Sequence, residues 1–285
     1  MVNIVLAIEE AGNNTVAKLI RAQHRLKKIK LIAVQTNFKS DLLKEAVINH
    51  QDTIVDYDVD GFGSLIQAVP SFKNLRSLDI GNSFQCGPDN SKCLRNLVLP
   101  NIEHFCVYLL FEEFLMDTCN FLKLNGNKLK KLKVTGVPND KDKMNYGLLF
   151  QTIAQHCQNV KELAIVYENQ IEDQRLLIQV FENCRKLRKI HFSSVDHSNV
   201  NGNKLFDVLT KTQPVGLKVM KFDNLMTVSN ASFNTLRRNW KGATPFLIKF
   251  SREWDNCMDK LRLVKRLKKY QKLGFLDYVL RDECF

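Results

Sequence analysis

One apolar frame recurs along the chain and restricts its possible folds more than any other feature. "CQNVKELAI", Cys157 to Ile165, and "CRKLRKIHF", Cys184 to Phe192, each place apolar residues at the first, fourth and sixth positions of a short run. These are Val160, Leu163 and Ile165 in one copy and Leu187, Ile190 and Phe192 in the other. The frame also fits Leu26, Ile29 and Leu31; Ile54, Tyr57 and Val59; and Leu75, Leu78 and Ile80. Further copies are Leu94, Leu97 and Leu99; Leu129, Leu132 and Val134; and Leu217, Met220 and Phe222. A ninth copy, Pro245, Ile248 and Phe250, departs at its first position.

Between the frames lie segments with helical spacing of apolar residues: 15–22, 41–48, 147–157, 173–184 and 204–212. Asp41, Asp173 and Asn203 are expected as their caps. The stretch "HFCVYLLFEEFLMDTC" reads as one longer apolar helix, and "GNSFQCGPDNSKC" as a loop without a helix. Each unit is then helix, turn, short strand and loop. A single unit cannot bury both its strand and its helix, so such units stack into a shared core. The expected fold is an α/β leucine-rich-repeat solenoid of about nine units over residues 1–252. Parallel strands would line its concave face and helices its convex face, with a basic amphipathic helical cap over 253–285. No Pro, Gly or Ser-rich linker interrupts the chain before about residue 252.

Alternation along a strand sends the residues flanking the central frame position out onto the concave face. These include Lys28, Lys30, Asp56, Asp58, Asp79, Asn96, Val98, Lys131, Lys133, Glu162, Lys189, His191, Lys221 and Lys249. From Lys131 onward lysine dominates, and clustered lysine suits an acidic or phosphorylated segment. The same charge also serves as a solvated face. Lys131, Lys133, Lys189, His191, Lys221 and Lys249 are the candidate partner-binding residues. The face carries few arginines and no interleaved aromatics, so nucleic acid is not expected on it.

Other motifs resolve against chemistry. "DYDVDG", Asp56 to Gly61, begins like a calcium loop, but its twelfth residue is Gln67 where a bidentate carboxylate is required. Tyr57 and Val59 fill the repeat frame, which places Asp56 and Asp58 outward on a strand instead. Zinc needs close pairs of ligands, and Cys86 and Cys93 have no second such pair. Cys157 and Cys184 share one repeat position and read as buried fillers where helix turns into strand. None of the six histidines falls in a nucleophile or metalloprotease motif, and no phosphate-binding glycine loop is present. The chain is therefore read as non-enzymatic, without metal or cofactor.

The 285 residues carry a net charge of +12, which favours acidic partners. No apolar run approaches the roughly 20 residues of a spanning helix, and "MVNIVLAIEE" lacks the flanks of a signal peptide. Eight cysteines without a CxxC fit reduced thiols and a cytoplasmic or nuclear location. In the tail, Leu263, Val264, Leu267 and Tyr270 form one helical stripe ringed by Lys260, Lys265, Arg266, Lys268, Lys269 and Lys272. Such a helix can lie on a membrane or enter a partner's groove. With a repeat directly upstream, capping the solenoid's open edge is the expected role.

The units, with Cys or a polar residue ending the helix just before "L..L.L", resemble the leucine-rich repeats of F-box proteins over roughly 15–250. The tail "KKYQKLGFLDYVL" is similar to the closing segment of fungal F-box-like repeat proteins. The Leu-Pro-initiated F-box helices themselves are not in this chain. The resemblance implies a non-catalytic recognition module like the substrate-binding repeats of an SCF-type ubiquitin-ligase receptor, holding a protein target. A Skp-type adaptor would dock only on a longer form carrying an F-box. The other readings are a stand-alone interaction scaffold and a basic peripheral membrane or nucleic-acid binder.

Overall fold

Buried residues at the frame positions fix the strands, and in the computed structural model they do so at nearly every expected frame. The structure describes residues 2–8, 12–33, 41–61, 63–81, 91–109, 111–136, 145–167, 171–193, 200–223, 226–242, 246–250 and 258–279. It consists of two compact units, Met1–Met144 and Asn145–Phe285.

The first unit runs β1 (Val2–Ile8), α1 (Asn13–Arg21), β2 (Leu26–Ala33), α2 (Asp41–Ile48), β3 (Asp56–Asp60), α3 (Gly63–Ile66), β4 (Ser77–Ile80), β5 (His104–Tyr108), α4 (Glu112–Asn125) and β6 (Lys131–Thr135). Its strands pair in parallel, each with the next in the chain. Sequential parallel strands joined by crossovers of one hand put every helix on the same side of the sheet. Frame residues fill the space between: Leu26, Leu31, Ile54, Tyr57, Ile80, Leu129, Leu132 and Val134 are wholly buried. Each buried aliphatic side chain favours folding by about 1.5–3 kcal/mol relative to exposure, an upper value because the unfolded chain already buries some surface.

The frame expected at Leu94, Leu97 and Leu99 is not a strand. Residues 92–94 form a 3₁₀ turn, Pro100 follows, and the extended stretch between is held by a side chain. Asn125, wholly buried at the end of α4, accepts from Leu99 N at 2.8 Å and donates to Leu97 O at 2.8 Å. Asn96 and Val98 therefore do not lie on the sheet. The strand is β5, inside the stretch expected to be one long helix. Ile102, Phe105 and Val107 fit the same frame and are buried. They lie 27 residues after Leu75, Leu78 and Ile80 and 27 before Leu129, Leu132 and Val134. Only the later part of that stretch, from Glu112, is helical.

The second unit runs α5 (Tyr146–His156), β7 (Glu162–Val166), α6 (Ile171–Asn183), β8 (Lys189–Ser193), β9 (Val200–Asn201), α7 (Gly202–Thr212), β10 (Val219–Phe222), β11 (Met226–Thr227), α8 (Asn230–Asn239), β12 (Phe246–Phe250), α9 (Met258–Lys272) and β13 (Leu276–Val279). Its main sheet is parallel in the order β7-β8-β10-β12-β13, and β9 pairs with β11 separately. The sixth frame position carries a file of rings. Phe192 stacks on Phe222 at 5.5 Å and Phe222 on Phe250 at 5.7 Å. A second file links the helices: Phe206 meets Phe233 at 4.8 Å, and Phe233 meets Tyr270 at 4.7 Å. Such contacts add about 0.5–1.5 kcal/mol each beyond burial.

Both units thus have the strand–helix repetition of an α/β leucine-rich-repeat solenoid. The C-terminal stripe behaves as a cap within the second unit. Leu263, Leu267 and Tyr270 are buried, and the Tyr270 hydroxyl donates to Asn234 Oδ1 at 2.9 Å. The tail is not helical throughout, because β13 pairs with β12. Asn203 is not the cap of α7; Asn201 is, accepting from Lys204 N. Asn203 Oδ1 instead accepts from Ser229 N at 2.7 Å and Ser232 Oγ at 2.8 Å, tying α7 to the next repeat. Asp41 and Asp173 lie within the first turns of α2 and α6.

Cys157 and Cys184 are buried where helix turns to strand, as expected. Cys184 Sγ approaches Cys157 O at 3.4 Å, and burial pushes its thiol up to about 12. Two other side chains make a comparable link to the preceding repeat. His50 Nε2 meets Ile20 O at 2.8 Å, and Cys93 Sγ meets Ile66 O at 3.5 Å. These side chains add a second contact to helix-end carbonyls of the preceding repeat, of which Ile20 O and Cys157 O also accept from Gln23 N and Val160 N.

Candidate interaction face

The face of each sheet turned away from its helices is lined by the outward residues of successive strands, in register rows. In the first unit one row reads Asn3, Lys28, Asp56, Ser77, His104 and Lys131. The next reads Val5, Lys30, Asp58, Asp79, Cys106 and Lys133. Lys28 Nζ meets Asp56 Oδ2 at 2.9 Å, and Lys30 Nζ meets Asp58 Oδ2 at 2.7 Å. Asp56 and Asp58 therefore project outward from β3 into cross-strand ion pairs, and Gly61 begins the turn after it. Burial raises the Asp79 carboxyl above the ordinary range. The Cys106 thiol donates to it, while Asp58 opposes its charge and Lys133 favours it. Burial, and then the Asp79 charge, push the Cys106 thiol far above its usual range.

Lys131 and Lys133 stand on β6 beside His104 and Cys106 of β5. They are half-buried at the last strand of the first unit. The four remaining candidates lie in the second unit. Its first row reads Glu162, Lys189, Val219, Leu247 and Asp277, and its second Ala164, His191, Lys221, Lys249 and Val279. His191, Lys221 and Lys249 are thus direct register neighbours on β8, β10 and β12. Lys189 Nζ pairs with Glu162 Oε1 at 2.9 Å and remains 42% exposed. His191 Nε2 lies 2.8 Å from Asp223 Oδ1, one strand over. Lys221 is only 4% exposed. Its ammonium contributes to the field of the row rather than to a surface, whereas Lys189, His191 and Lys249 keep accessible area.

His104, Cys106 and Tyr108 also belong to this face, although the apolar run they stand in predicts a helix. The even spacing of the Ile102 frame is the signal that finds them. Asp223 was missed because it sits just past the frame, where the strand ends.

The strand-entry edge of the first unit carries a groove of about 550 Å³ lined by Arg25, Lys27, Asp52, Thr53, Val55, Asn74, Arg76 and Asn101. Its amides are engaged: Asn74 Nδ2 donates to Asp52 O at 2.8 Å, and Asp52 pairs with Lys73 at 2.8 Å. Among the described residues no three His, Cys, Asp or Glu side chains converge as metal ligands. Cys86 and His197 lie outside the described residues. No described helix is long and apolar enough to cross a membrane. On α9, Arg262, Lys265, Lys268, Lys269 and Lys272 are exposed opposite the buried stripe.

No protein-family model matches this sequence. No curated protein matches it either. Among solved structures, the chain is similar to a protein from Bacteroides fragilis known from its crystal structure. The match has a TM-score of 0.55 at 14% identity and covers 82% of this chain and 71% of that one. At that identity the likeness concerns the fold alone, and the fold the two share is the α/β repeat arrangement described above.

Proposed function

We propose that the chain is a non-catalytic protein-recognition module. It takes an acidic or phosphorylated segment of a target on the outward sheet face, in the cytoplasm or nucleus. The observation that supports this most is the register row His191, Lys221, Lys249, with Lys189 beside it. Parallel strands set such neighbours about 4.8 Å apart. Lys189 keeps exposed area beside its Glu162 pair, and with a net charge of +12 on the chain such a row draws an anionic partner. A phosphoryl group, with close to two charges and three acceptor oxygens, suits a pair of lysines especially well. The resemblance of the repeats to those of F-box receptors makes an SCF-type substrate receptor the specific form of this reading.

The test is capture from a synthetic peptide library holding matched neutral, acidic and phosphoserine members, with the full chain as bait. The reading expects acidic and phosphorylated members to be enriched over neutral ones. Equal recovery of all three classes would count against it. Co-purification of a Skp-type adaptor with the endogenous protein supports the ubiquitin-ligase form, and its consistent absence favours a scaffold role.

A further inference from the structure

The strand-entry rim of the second unit differs in charge from the outward face. In each repeat, one residue just before the strand offers its carbonyl to two successive N–H groups of the next repeat. Lys161 O accepts from Arg188 N at 2.8 Å and Lys189 N at 3.1 Å. Arg188 O accepts from Lys218 N at 2.8 Å and Val219 N at 3.1 Å, and Lys218 O from Leu247 N at 2.8 Å. Lys161, Arg188 and Lys218 therefore stand in line, one per strand, with a step of about 4.8 Å. All three are exposed. Arg185 and Lys186, also exposed, sit on the turn leading to the middle rung. Lys186 Nζ reaches back to Asn159 Oδ1 at 2.7 Å, so it is aligned with the rim rather than splayed. Among the described residues none of these five side chains forms an ion pair with a carboxylate. The nearest strand acid, Glu162, is held by Lys189 on the outward face.

We infer that this rim is a sequence-independent site for the phosphate backbone of nucleic acid. Continuity of charge selects the class of partner. An extended peptide is anionic along one side only where every second residue is acidic. A nucleic-acid strand carries one phosphate at every nucleotide whatever its sequence, which suits an uninterrupted basic ladder. Arg185 and Arg188 offer planar forks suited to phosphate oxygens. Val215 and Leu273 are the large exposed apolar residues on the second unit's strand-entry turns among those described, which gives a lipid surface little to hold. No ring lies on the ladder itself, so bases are not read and binding rests on counterion release. This site is separate from the outward face and stands or falls independently of the function proposed there.

The test is a salt series of the full chain against fluorescent single-stranded and duplex homopolymer DNA. Five contacts predict a slope of log K against log salt of about −4. Arg188→Glu with Lys218→Glu should weaken binding at least tenfold and reduce the slope by about 2, with an unchanged circular dichroism spectrum. Arg188→Gln with Lys218→Gln should show the same effect in smaller measure, and Lys265→Glu with Lys269→Glu on α9 should leave affinity within twofold. The inference is overturned by lack of saturable binding at 50 mM salt, by indifference to the rim variants, or by loss of binding in the α9 variant instead. It is equally overturned if polyglutamate competes as well as DNA, or if the chain binds phosphatidylserine vesicles and no DNA.

Discussion

Single side chains replace regular structure where the repeat is irregular. Asn125 is the clearest case, since its amide serves Leu99 N, Leu97 O and Phe121 O where no strand partner exists. Asn125→Ala leaves the Leu99 amide without its partner in a buried setting and frees a part-buried carbonyl. The expected loss is about 2–3 kcal/mol in chemical unfolding of the full chain. Asp79 gives the opposite effect. Its carboxyl is raised by burial first and by Asp58 second, against the Cys106 hydrogen bond, Lys133 and Lys30. The folded chain therefore holds that proton more tightly than the unfolded chain does. Stability from this group is fully present below the ordinary aspartate range near pH 3.9 and is lost as pH rises through the raised folded value. Asp79→Asn should accordingly raise the thermal midpoint at pH 7, and the advantage over wild type should shrink as pH falls through the raised folded value and be gone below about 4. A variant less stable than wild type at pH 7 would show that the ion pairs around Asp79 outweigh its burial.

Among the elements, α9 shows how a charged helix becomes part of a core. Its stripe buries Leu263, Leu267 and Tyr270 while its lysines stay in water. Tyr270→Phe keeps the stack on Phe233 and loses the hydroxyl's bonds to Asn234 and Asn230, an expected cost of about 1 kcal/mol. Tyr270→Ala also removes the ring and should cost about 3–5 kcal/mol by urea unfolding. The stripe was legible in sequence because helical spacing of apolar residues reports burial directly. The frame copies from Leu26 through Phe250 were legible for the same reason, apart from Leu94, where leucines in a turn imitate it. β5 was hidden because its strand runs straight into the apolar start of α4. Periods of two and of 3.6 overlap there without a turn signal between them. β1 and β13 were hidden because end strands have a single strand neighbour and show only part of the pattern. Outward residues were assigned wherever the frame was right, and Lys221 shows the limit: a position's side of the sheet follows from alternation, but its burial depends on neighbours that alternation does not name.

At the scale of the whole molecule, an excess of twelve positive charges is distributed by the repeat rather than scattered. In the first unit, Lys28 and Lys30 are matched by Asp56 and Asp58 across the strands. In the second unit the outward positions gather lysine and histidine in adjacent strands, Lys189 paired with Glu162 and His191 with Asp223, and recognition of an anionic segment there is the reading we propose. Its most direct measurement is a fluorescence titration of a phosphoserine peptide recovered by the library capture, comparing wild type with Lys189→Glu plus Lys249→Glu. The account predicts at least a tenfold loss of affinity in the variant, with a neutral serine version of the peptide weak against both. Unchanged affinity in the charge-reversed chain, with its circular dichroism spectrum intact, would contradict it.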